Sequence, residues 1–267
     1  MGKVVLITGA SAGIGRACAN RLDREGWTVI GASRRGTSSG GWSGMVMDVD
    51  HNDSVNDGVA ALLRQQRTLD AVVACAGWGL AGAVEQTPIS DARDQFETNF
   101  WGAVRVVQAA LPAMRAQGGG RIVLVSSIGG VIGIPFQAFY SATKFALEGY
   151  GEALAYEVAP FGIAVTLVEP GNVRTDFTAN RRDVVVAPGT DDPYLLATRK
   201  AVGRMERDEA GGVTPDSIAA VVQRALDASR PPRHVTAGKL LERTGPMAKR
   251  LLPHRLFEAA AKSSLGV

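Results

Sequence analysis

Between an apolar run at residues 3–8 and a helical pattern at residues 13–25, the chain reads Thr8-Gly9-Ala10-Ser11-Ala12-Gly13-Ile14-Gly15. Glycines at a strand-to-helix turn let the backbone turn tightly and approach a pyrophosphate, while the helix N-terminus offers free N–H groups. The spacing is Gly-x3-Gly-x-Gly, which differs from the Gly-x-Gly-x2-Gly of most dinucleotide-binding folds. A turn that needs glycine for geometry alone is the alternative, but the strongly patterned flanks favour a dinucleotide site.

Apolar runs and helical patterns alternate along the rest of the chain. The predicted strands are residues 3–8, 28–33, 44–48, 70–75, 121–126, 163–169 and 233–236. The predicted helices are residues 13–25, 52–67, 90–117, 139–159 and 215–228. Strands that alternate with helices over short connections predict an α/β fold, a Rossmann-type doubly wound parallel sheet of about seven strands. Neither an internal repeat nor a linker is visible, so we predict one domain over residues 1–267.

Two segments depart from this alternation. Residues 175–212 are polar, contain no predicted strand and include Pro188 and Gly189, which is typical of a helical lid over a substrate. Residues 239–267 form a basic, amphipathic helical tail, with leucines at Leu240, Leu241, Leu251, Leu252 and Leu256. The tail has three alternative positions: over the pocket, against another subunit, or on an anionic membrane surface. We favour a tail that packs its leucines on the body of the protein.

Composition excludes several classes of protein. The chain has 267 residues, of which 46% are hydrophobic and 21% charged, so it is not a mostly disordered protein. Two cysteines, Cys18 and Cys75, exclude a disulfide scaffold and a zinc site of paired cysteines, and we assign no metal ligands. A net charge of +3 is too small to indicate nucleic acid as a partner. We see no targeting signal and expect a cytoplasmic protein.

Four residues are candidates for chemistry. Tyr140 and Lys144 lie four apart on one helix face, and an ammonium beside a phenol lowers its pKa, which suits general acid–base catalysis. Ser127 follows a predicted strand and offers a hydroxyl to hold a substrate oxygen. Asn99 lies inside a predicted helix, where asparagine is a poor helix former, so its side chain is expected to bond the backbone or a water.

Together with the glycine loop, these four residues resemble the short-chain dehydrogenase/reductase family over residues 3–236. The resemblance implies an oxidoreductase with a catalytic tetrad of Asn99, Ser127, Tyr140 and Lys144. In this reading Tyr140 moves the proton, Lys144 also holds the ribose hydroxyls of the cofactor, Ser127 positions the substrate oxygen, and Asn99 carries a water that links Lys144 to solvent.

The resemblance also implies a set of cofactor contacts. They are Gly9, Ser11, Gly13, Ile14, Gly15, Ser33, Arg34, Asp48, Val49, Cys75, Ala76, Gly77, Tyr140, Lys144, Pro170, Gly171, Val173 and Thr175. One departure stands out, because the family's Asn-Asn-Ala-Gly reads Ala74-Cys75-Ala76-Gly77 here. Two side-chain amides are missing, but the small residues remain, so we expect cofactor binding to persist.

The resemblance, together with the local sequence, also predicts the cofactor and the substrate class. Ser33 stands where NAD-specific relatives have an acidic residue, and Arg34 and Arg35 follow it. Guanidinium groups attract a 2′-phosphate, so we predict NADP(H). The phrase Asn99-Phe100-Trp101-Gly102 resembles hydroxysteroid and retinol dehydrogenases, and with the long lid it predicts a bulky, largely apolar carbonyl or alcohol substrate. Trp78, Trp101 and Phe136 are candidate pocket walls, with core packing as the alternative.

Two other functions remain open. A 3-oxoacyl carrier-protein reductase shares the chemistry, and the basic tail would attract an acidic carrier protein. A non-catalytic NADP-sensing regulator is the alternative from another class, although such relatives typically lose the tyrosine or the lysine. The family usually pairs the helices that here hold Asn99 and Tyr140, which implies a homodimer or a homotetramer.

Overall fold

The computed structural model of the protein describes residues 2–185 and 191–265. The strands in this part of the chain are β1 Val4–Thr8, β2 Thr28–Ser33, β3 Ser43–Val46, β4 Ala71–Ala74, β5 Leu80–Ala81, β6 Gly120–Val125, β7 Ile163–Pro170, β8 Arg182–Asp183 and β9 His234–Ala237. Seven of them form one parallel sheet in the order β3-β2-β1-β4-β6-β7-β9. The order reverses between β1 and β4, and open parallel sheets bind ligands at the carboxyl ends of strands at such a point.

Helices cover both faces of this sheet. They are α1 Gly13–Arg24, α2 Asn52–Gln66, α3 Ile89–Phe96, α4 Gly102–Ala116, α5 Ala138–Val158, α6 Phe177–Asn180, α7 Leu195–Ala210, α8 Pro215–Asp227, α9 Leu240–Leu251 and α10 His254–Leu265. Alternate strand residues enter two separate cores: Leu6 packs on the side of α2, α4 and α5, while Ile7 packs on the side of α1 and α8. Because both faces are buried, the strands read as continuous apolar runs. The predicted single-domain Rossmann-type fold is confirmed.

The long predicted helix is interrupted. A π-helical turn, Glu97–Trp101, separates α3 from α4 and contains Asn99. Such turns insert an extra residue into a helix and are frequent at functional sites. The interruption therefore changes the direction in which the Asn99 side chain leaves the helix.

The predicted lid contains a strand that the sequence did not indicate. Residues of β8 pair in parallel with β5, Leu80 opposite Arg182 and Ala81 opposite Asp183. A two-residue strand leaves no apolar run or alternation to recognise, so the prediction of a strand-free segment is wrong. Helices α6 and α7 form the rest of the described lid, while Pro188 and Gly189 lie outside the described residues.

The tail consists of two helices instead of one. Pro253 separates α9 from α10, because a residue before proline is driven to extended backbone, and Leu252 has φ −82° and ψ 144°. The side chains of Leu240, Leu241 and Leu251 are 74–85% exposed, so the favoured packing of the leucines on the body is wrong. Within the described residues, no helix combines the length and apolar character needed to cross a lipid bilayer.

Candidate active site

The glycine loop closely approaches the neighbouring strand end. Gly9 has a φ of +68°, and a Cβ there would lie 3.0 Å from the backbone of Ala76. A Cβ on Gly15 would collide with the carbonyl oxygen of Gly9. The loop thus needs glycine at both places, and it leaves the N-terminal N–H groups of α1 beside an open groove, as a pyrophosphate requires.

A threonine compensates for the missing amides after β4. The hydroxyl oxygen of Thr8, at the end of β1, accepts hydrogen bonds from the N–H groups of Cys75 at 3.1 Å and Ala76 at 3.2 Å. Thr8 is buried, so these bonds fix the ends of β1 and β4 relative to each other. Both cysteines of the chain are free thiols, as expected.

Helix α5 and strand β6 bring the proposed catalytic groups together. Tyr140 and Lys144 are buried on one face of α5. The Nζ of Lys144 donates a hydrogen bond to the carbonyl oxygen of Val125 at 2.9 Å and lies 6.0 Å from the centroid of the Tyr140 ring. The Oγ of Ser127 accepts a hydrogen bond from the N–H of Gly129 at 2.9 Å. The hydroxyl of Ser127 also contacts the hydroxyl of Tyr140, so both groups face the same part of the cavity.

The pKa values of the pair differ from the sequence-based expectation. Burial raises the pKa of Tyr140 to about 12, and a hydrogen bond with Ser127 opposes the rise. Burial lowers the pKa of Lys144 to about 8. Burial therefore outweighs the lowering that was expected from Lys144, whose Nζ faces the Val125 carbonyl, and the catalytic role of Lys144 stays a prediction. Tyr140 is thus protonated at neutral pH, the form that donates a proton.

Asn99 bonds a neighbouring loop. Its Oδ1 accepts a hydrogen bond from the N–H of Trp78 at 2.9 Å, and its Nδ2 donates to the carbonyl oxygen of Trp78 at 2.9 Å. A third contact joins Nδ2 to the Oγ1 of Thr143 at 3.3 Å. Asn99 thereby ties the π-helical turn to the loop after β4 and to α5.

A cavity of about 1670 Å³ opens at the carboxyl ends of the strands. Every residue predicted for the site lines it except Asn99, which lies behind the wall formed by Gly77 and Trp78. Of the three aromatic candidates, Trp78 lines the cavity, while Trp101 and Phe136 do not. The lid and tail add further lining residues, which are Phe177, Arg204, Met205, Leu241, Ala248, Leu252 and Phe257.

Basic groups lie at the β2 end of the cavity. Arg34 and Arg35 are exposed there, and the Nη2 of Arg35 donates to the Oγ of Ser11 in the glycine loop at 3.1 Å. Asp48 lies farther along the same wall, where its carboxylate accepts a hydrogen bond from the N–H of Asp50 at 3.2 Å. The cavity wall next to the loop therefore carries two guanidinium groups.

Several contacts at the site had no signal in the sequence. The ring centroids of Phe177 and Tyr140 are 5.7 Å apart in an edge-to-face arrangement. Glu242, in the tail, accepts a hydrogen bond from the Nδ2 of Asn172 at 2.8 Å, next to the Pro-Gly motif after β7. These partners lie far apart along the chain, so only the folded structure reveals them.

Comparison with known proteins agrees with this geometry. The family model for short chain dehydrogenases matches residues 3–185. The chain belongs to this family. It is 38% identical over 261 residues to 3-ketodihydrosphingosine reductase of Bacteroides thetaiotaomicron, covering 97% of each protein. It is 36% identical over 254 residues to retinol dehydrogenase 8 of Bos taurus, covering 86% of this chain and 80% of that protein.

A solved structure supports the same assignment. A short-chain dehydrogenase from Streptomyces avermitilis superposes with a TM-score of 0.83 at 33% identity, and the match covers 98% of each chain. The protein is therefore an oxidoreductase whose fold binds a nicotinamide dinucleotide. The glycine loop and the N-terminus of α1 leave room for such a cofactor. Gly9 and Gly15 line the groove there and have no side chain that would fill it.

Proposed function

We propose that this short-chain dehydrogenase is an NADP(H)-dependent reductase of bulky, largely apolar ketones, which also oxidises the corresponding alcohols. The observation that carries the proposal is the position of Tyr140, a protonated phenol at the wall of a cavity of about 1670 Å³. A donor beside the substrate oxygen allows the carbonyl to be reduced without building up a free alkoxide.

The chain's own groups have separate tasks in this proposal. A bound nicotinamide supplies the hydride. Tyr140 donates its proton to the carbonyl oxygen, and the O–H of Ser127 holds that oxygen in place. Lys144 holds the ribose hydroxyls and keeps a positive charge near Tyr140. Asn99 bonds Trp78 in the loop after β4 and so holds the cavity wall formed by Gly77 and Trp78 in place.

The proposed cofactor contacts follow the cavity wall. Gly9, Gly13 and Gly15, together with the N–H groups at the N-terminus of α1, would hold the pyrophosphate. Arg34 and Arg35 bind the 2′-phosphate, because charge-assisted bonds from guanidinium groups to phosphate are strong. Both side chains are exposed at the β2 end, where no acidic residue competes for them at position 33.

The substrate class follows from the lid, the tail and the named relatives. The lid and the tail contribute apolar side chains to the cavity wall, which are Phe177, Met205, Leu252 and Phe257. One relative is named a reductase of 3-ketodihydrosphingosine and another a dehydrogenase of retinol, and both names refer to lipid-like compounds with a long hydrocarbon part. We propose a ketone with a long alkyl or isoprenoid chain as the substrate.

A homo-oligomer is part of the proposal. Three aromatic rings lie next to one another where the π-helical turn meets α5. The ring centroid of Phe100 is 4.8 Å from that of Trp101 and 6.0 Å from that of Tyr150. Trp101 and, farther along α5, Tyr156 are exposed there, which suits an apolar helix-to-helix interface. Light scattering of the purified protein gives the mass and shows whether a dimer or a tetramer forms.

The test measures the turnover of a panel of substrates through the change in absorbance of the nicotinamide cofactor. The panel contains 3-ketodihydrosphingosine, retinal, a small polar ketone and a 3-oxoacyl carrier-protein substrate, each with NADPH and NADH. We expect the highest kcat/KM for a lipid-like ketone with NADPH. Preference for the carrier-protein substrate would assign the alternative reductase function. Tight NADPH binding with no turnover across the panel would favour the sensing regulator.

A further inference from the structure

A second cluster of ionisable side chains lies outside the cavity. Glu148 of α5, Glu169 of β7 and His234 of β9 converge at the edge of the sheet, and one ligand atom from each lies within 4.8 Å of the other two. None of the three lines the cavity. The proposed reaction uses none of them, so their convergence needs another explanation.

Burial makes this cluster unusual. Glu148 and Glu169 are only 6% and 4% exposed, and neither carboxylate oxygen of Glu148 has a hydrogen-bond partner. The nearby hydroxyl of Ser126 is also buried and can donate a hydrogen bond to one of these two oxygens, which still leaves the other without a donor. Burying an ionised carboxylate is costly unless a cation or hydrogen-bond donors compensate it. A cation between the two glutamates would compensate both carboxylates.

The imidazole of His234 does not bond both carboxylates at once. Its Nδ1 lies 3.1 Å from the Oε1 of Glu169 and 3.4 Å from the Oε2 of Glu148. A single N–H on Nδ1 points at one acceptor, so it serves only one of the two carboxylates at a time. A metal ion in the same place contacts both carboxylates and the ring nitrogen at once.

Two of the three ligand separations are compatible with a zinc site. With metal–ligand bonds of about 2.0–2.1 Å, the ligand atoms of a tetrahedral site lie about 3.3 Å apart. The two separations from Nδ1, 3.1 Å and 3.4 Å, bracket that value. A mixed set of imidazole and carboxylate ligands suits Zn²⁺, whereas Mg²⁺ and Ca²⁺ prefer oxygen ligands alone.

Residues that contact the proposed ligands orient them, as neighbouring residues do in known metal sites. The Nε2 of His234 lies 3.4 Å from the Oε1 of Glu152, which leaves Nδ1 for a metal. The Oγ1 of Thr236 donates a hydrogen bond to the Oε2 of Glu169 at 2.7 Å, which leaves Oε1 free. Carboxylate–histidine–metal arrangements of this kind fix the tautomer and the ring orientation of the ligand.

We propose that Glu148, Glu169 and His234 bind one divalent transition-metal ion, Zn²⁺ being the best fit, with water at a fourth position. The ion would tie α5 to β7 and β9. Glu148 lies one helical turn after Lys144, and Glu169 directly precedes Pro170 of the cofactor motif. The site therefore stabilises the framework that carries the proposed active site and takes no part in the reaction.

The test titrates the chelator-treated full-length protein with ZnCl₂ in a calorimeter. The variants are Glu148→Gln and His234→Asn, which remove a ligand at little change in size. The control is His254→Asn, because His254 forms an exposed pair with Glu258 at 3.1 Å and lies outside the cluster. We expect one Zn²⁺ per chain for the wild type and the control, with affinity at least about tenfold weaker in both variants.

Two further measurements separate a loss of metal binding from a failure to fold. Thermal unfolding in chelator shows that the variants fold, and ZnCl₂ should raise the melting temperature of the wild type and the control only. CoCl₂ should give the visible absorption of a tetrahedral site in the same two proteins. Wild-type affinity weaker than about 0.1 mM, or equal binding by all four proteins, would overturn the proposal.

Discussion

The side-chain amide of Asn99 bonds both backbone polar groups of Trp78, the N–H and the carbonyl oxygen, through two hydrogen bonds of 2.9 Å each. Asn99 is fully buried, so these bonds replace water for the N–H and the carbonyl oxygen of Trp78. The π-helical turn positions the amide for this pairing. The loop after β4, which forms one wall of the cavity, is therefore held by Asn99 together with Gln95, whose Nε2 donates a hydrogen bond to the same carbonyl oxygen at 3.1 Å.

Asn99→Ala should destabilise the protein and loosen this wall. The variant leaves the N–H of Trp78 without its side-chain partner, while the carbonyl oxygen of Trp78 still accepts a hydrogen bond from Gln95, so the free energy of unfolding should fall by about 1–3 kcal/mol. Urea unfolding measures the loss, and the KM for the ketone should rise as well. Asn56→Ala, at an exposed position of α2, is the matched control and should leave both quantities unchanged.

Lys144→Met should stabilise the cofactor-free protein at pH 7 while it removes activity. Burial lowers the pKa of Lys144 from 10.5 to about 8, so the unfolded chain binds the proton more readily than the folded chain. Stability of the wild type therefore rises with pH between about 8 and 10.5. Removing the buried charge should add about 1–3 kcal/mol at pH 7, after the lost bond to Val125 is counted.

The same experiment contains its own check. The advantage of Lys144→Met should shrink as the pH approaches 10, because the folded wild type then has a neutral amine. Lys200→Met, at an exposed position of α7, should show no such pH dependence. A stability difference that stays constant from pH 7 to pH 10 would mean that the lysine is not a charged, desolvated group.

Arg34→Ala should weaken the preference for NADPH. If Arg34 makes a charge-assisted bond to the 2′-phosphate, its loss costs about 1.5–3 kcal/mol, or about 10- to 150-fold in kcat/KM with NADPH. The value with NADH should change little. Arg64→Ala, an exposed arginine of α2, serves as the control. Equal kcat/KM of the wild type for the two cofactors would contradict the predicted preference.

Deletion of the chain after Thr244 should affect bulky substrates selectively. It removes Ala248, Leu252 and Phe257 from the cavity wall but keeps Glu242, which bonds Asn172. Burial of one apolar side chain contributes about 1.5–3 kcal/mol, so the KM for a long-chain ketone should rise about tenfold or more. A small ketone should keep its KM. Unchanged values for both substrates would show that the tail is not part of the pocket.

The sequence alone predicted the sheet and most of the site because these features depend on local patterns. Strands buried on both faces appear as apolar runs, and Gly9 and Gly15 are needed by the turn itself. Tyr140 and Lys144 follow helical spacing, so their shared face was visible too. The structure then placed the predicted residues around one cavity, while their roles remain predictions.

Other features depend on contacts between distant segments. The pairing of β5 with β8 joins residues about a hundred positions apart, and two residues per strand leave no pattern. The convergence of Glu148, Glu169 and His234 spans three elements in the same way. The raised pKa of Tyr140 comes from burial, which spacing along a helix does not reveal. A cytoplasmic location also remains a prediction.

Tyr140→Phe tests the central claim most directly. The substitution keeps the ring beside Phe177 and removes only the hydroxyl, so the fold and NADPH affinity should be retained. We measure the rate of NADPH oxidation with 3-ketodihydrosphingosine for the wild type and the variant, together with cofactor binding by fluorescence. The account predicts a loss of roughly 10²- to 10⁴-fold in kcat with unchanged cofactor binding. A variant that keeps more than about a tenth of the wild-type kcat would contradict it, because the proton would then come from another group.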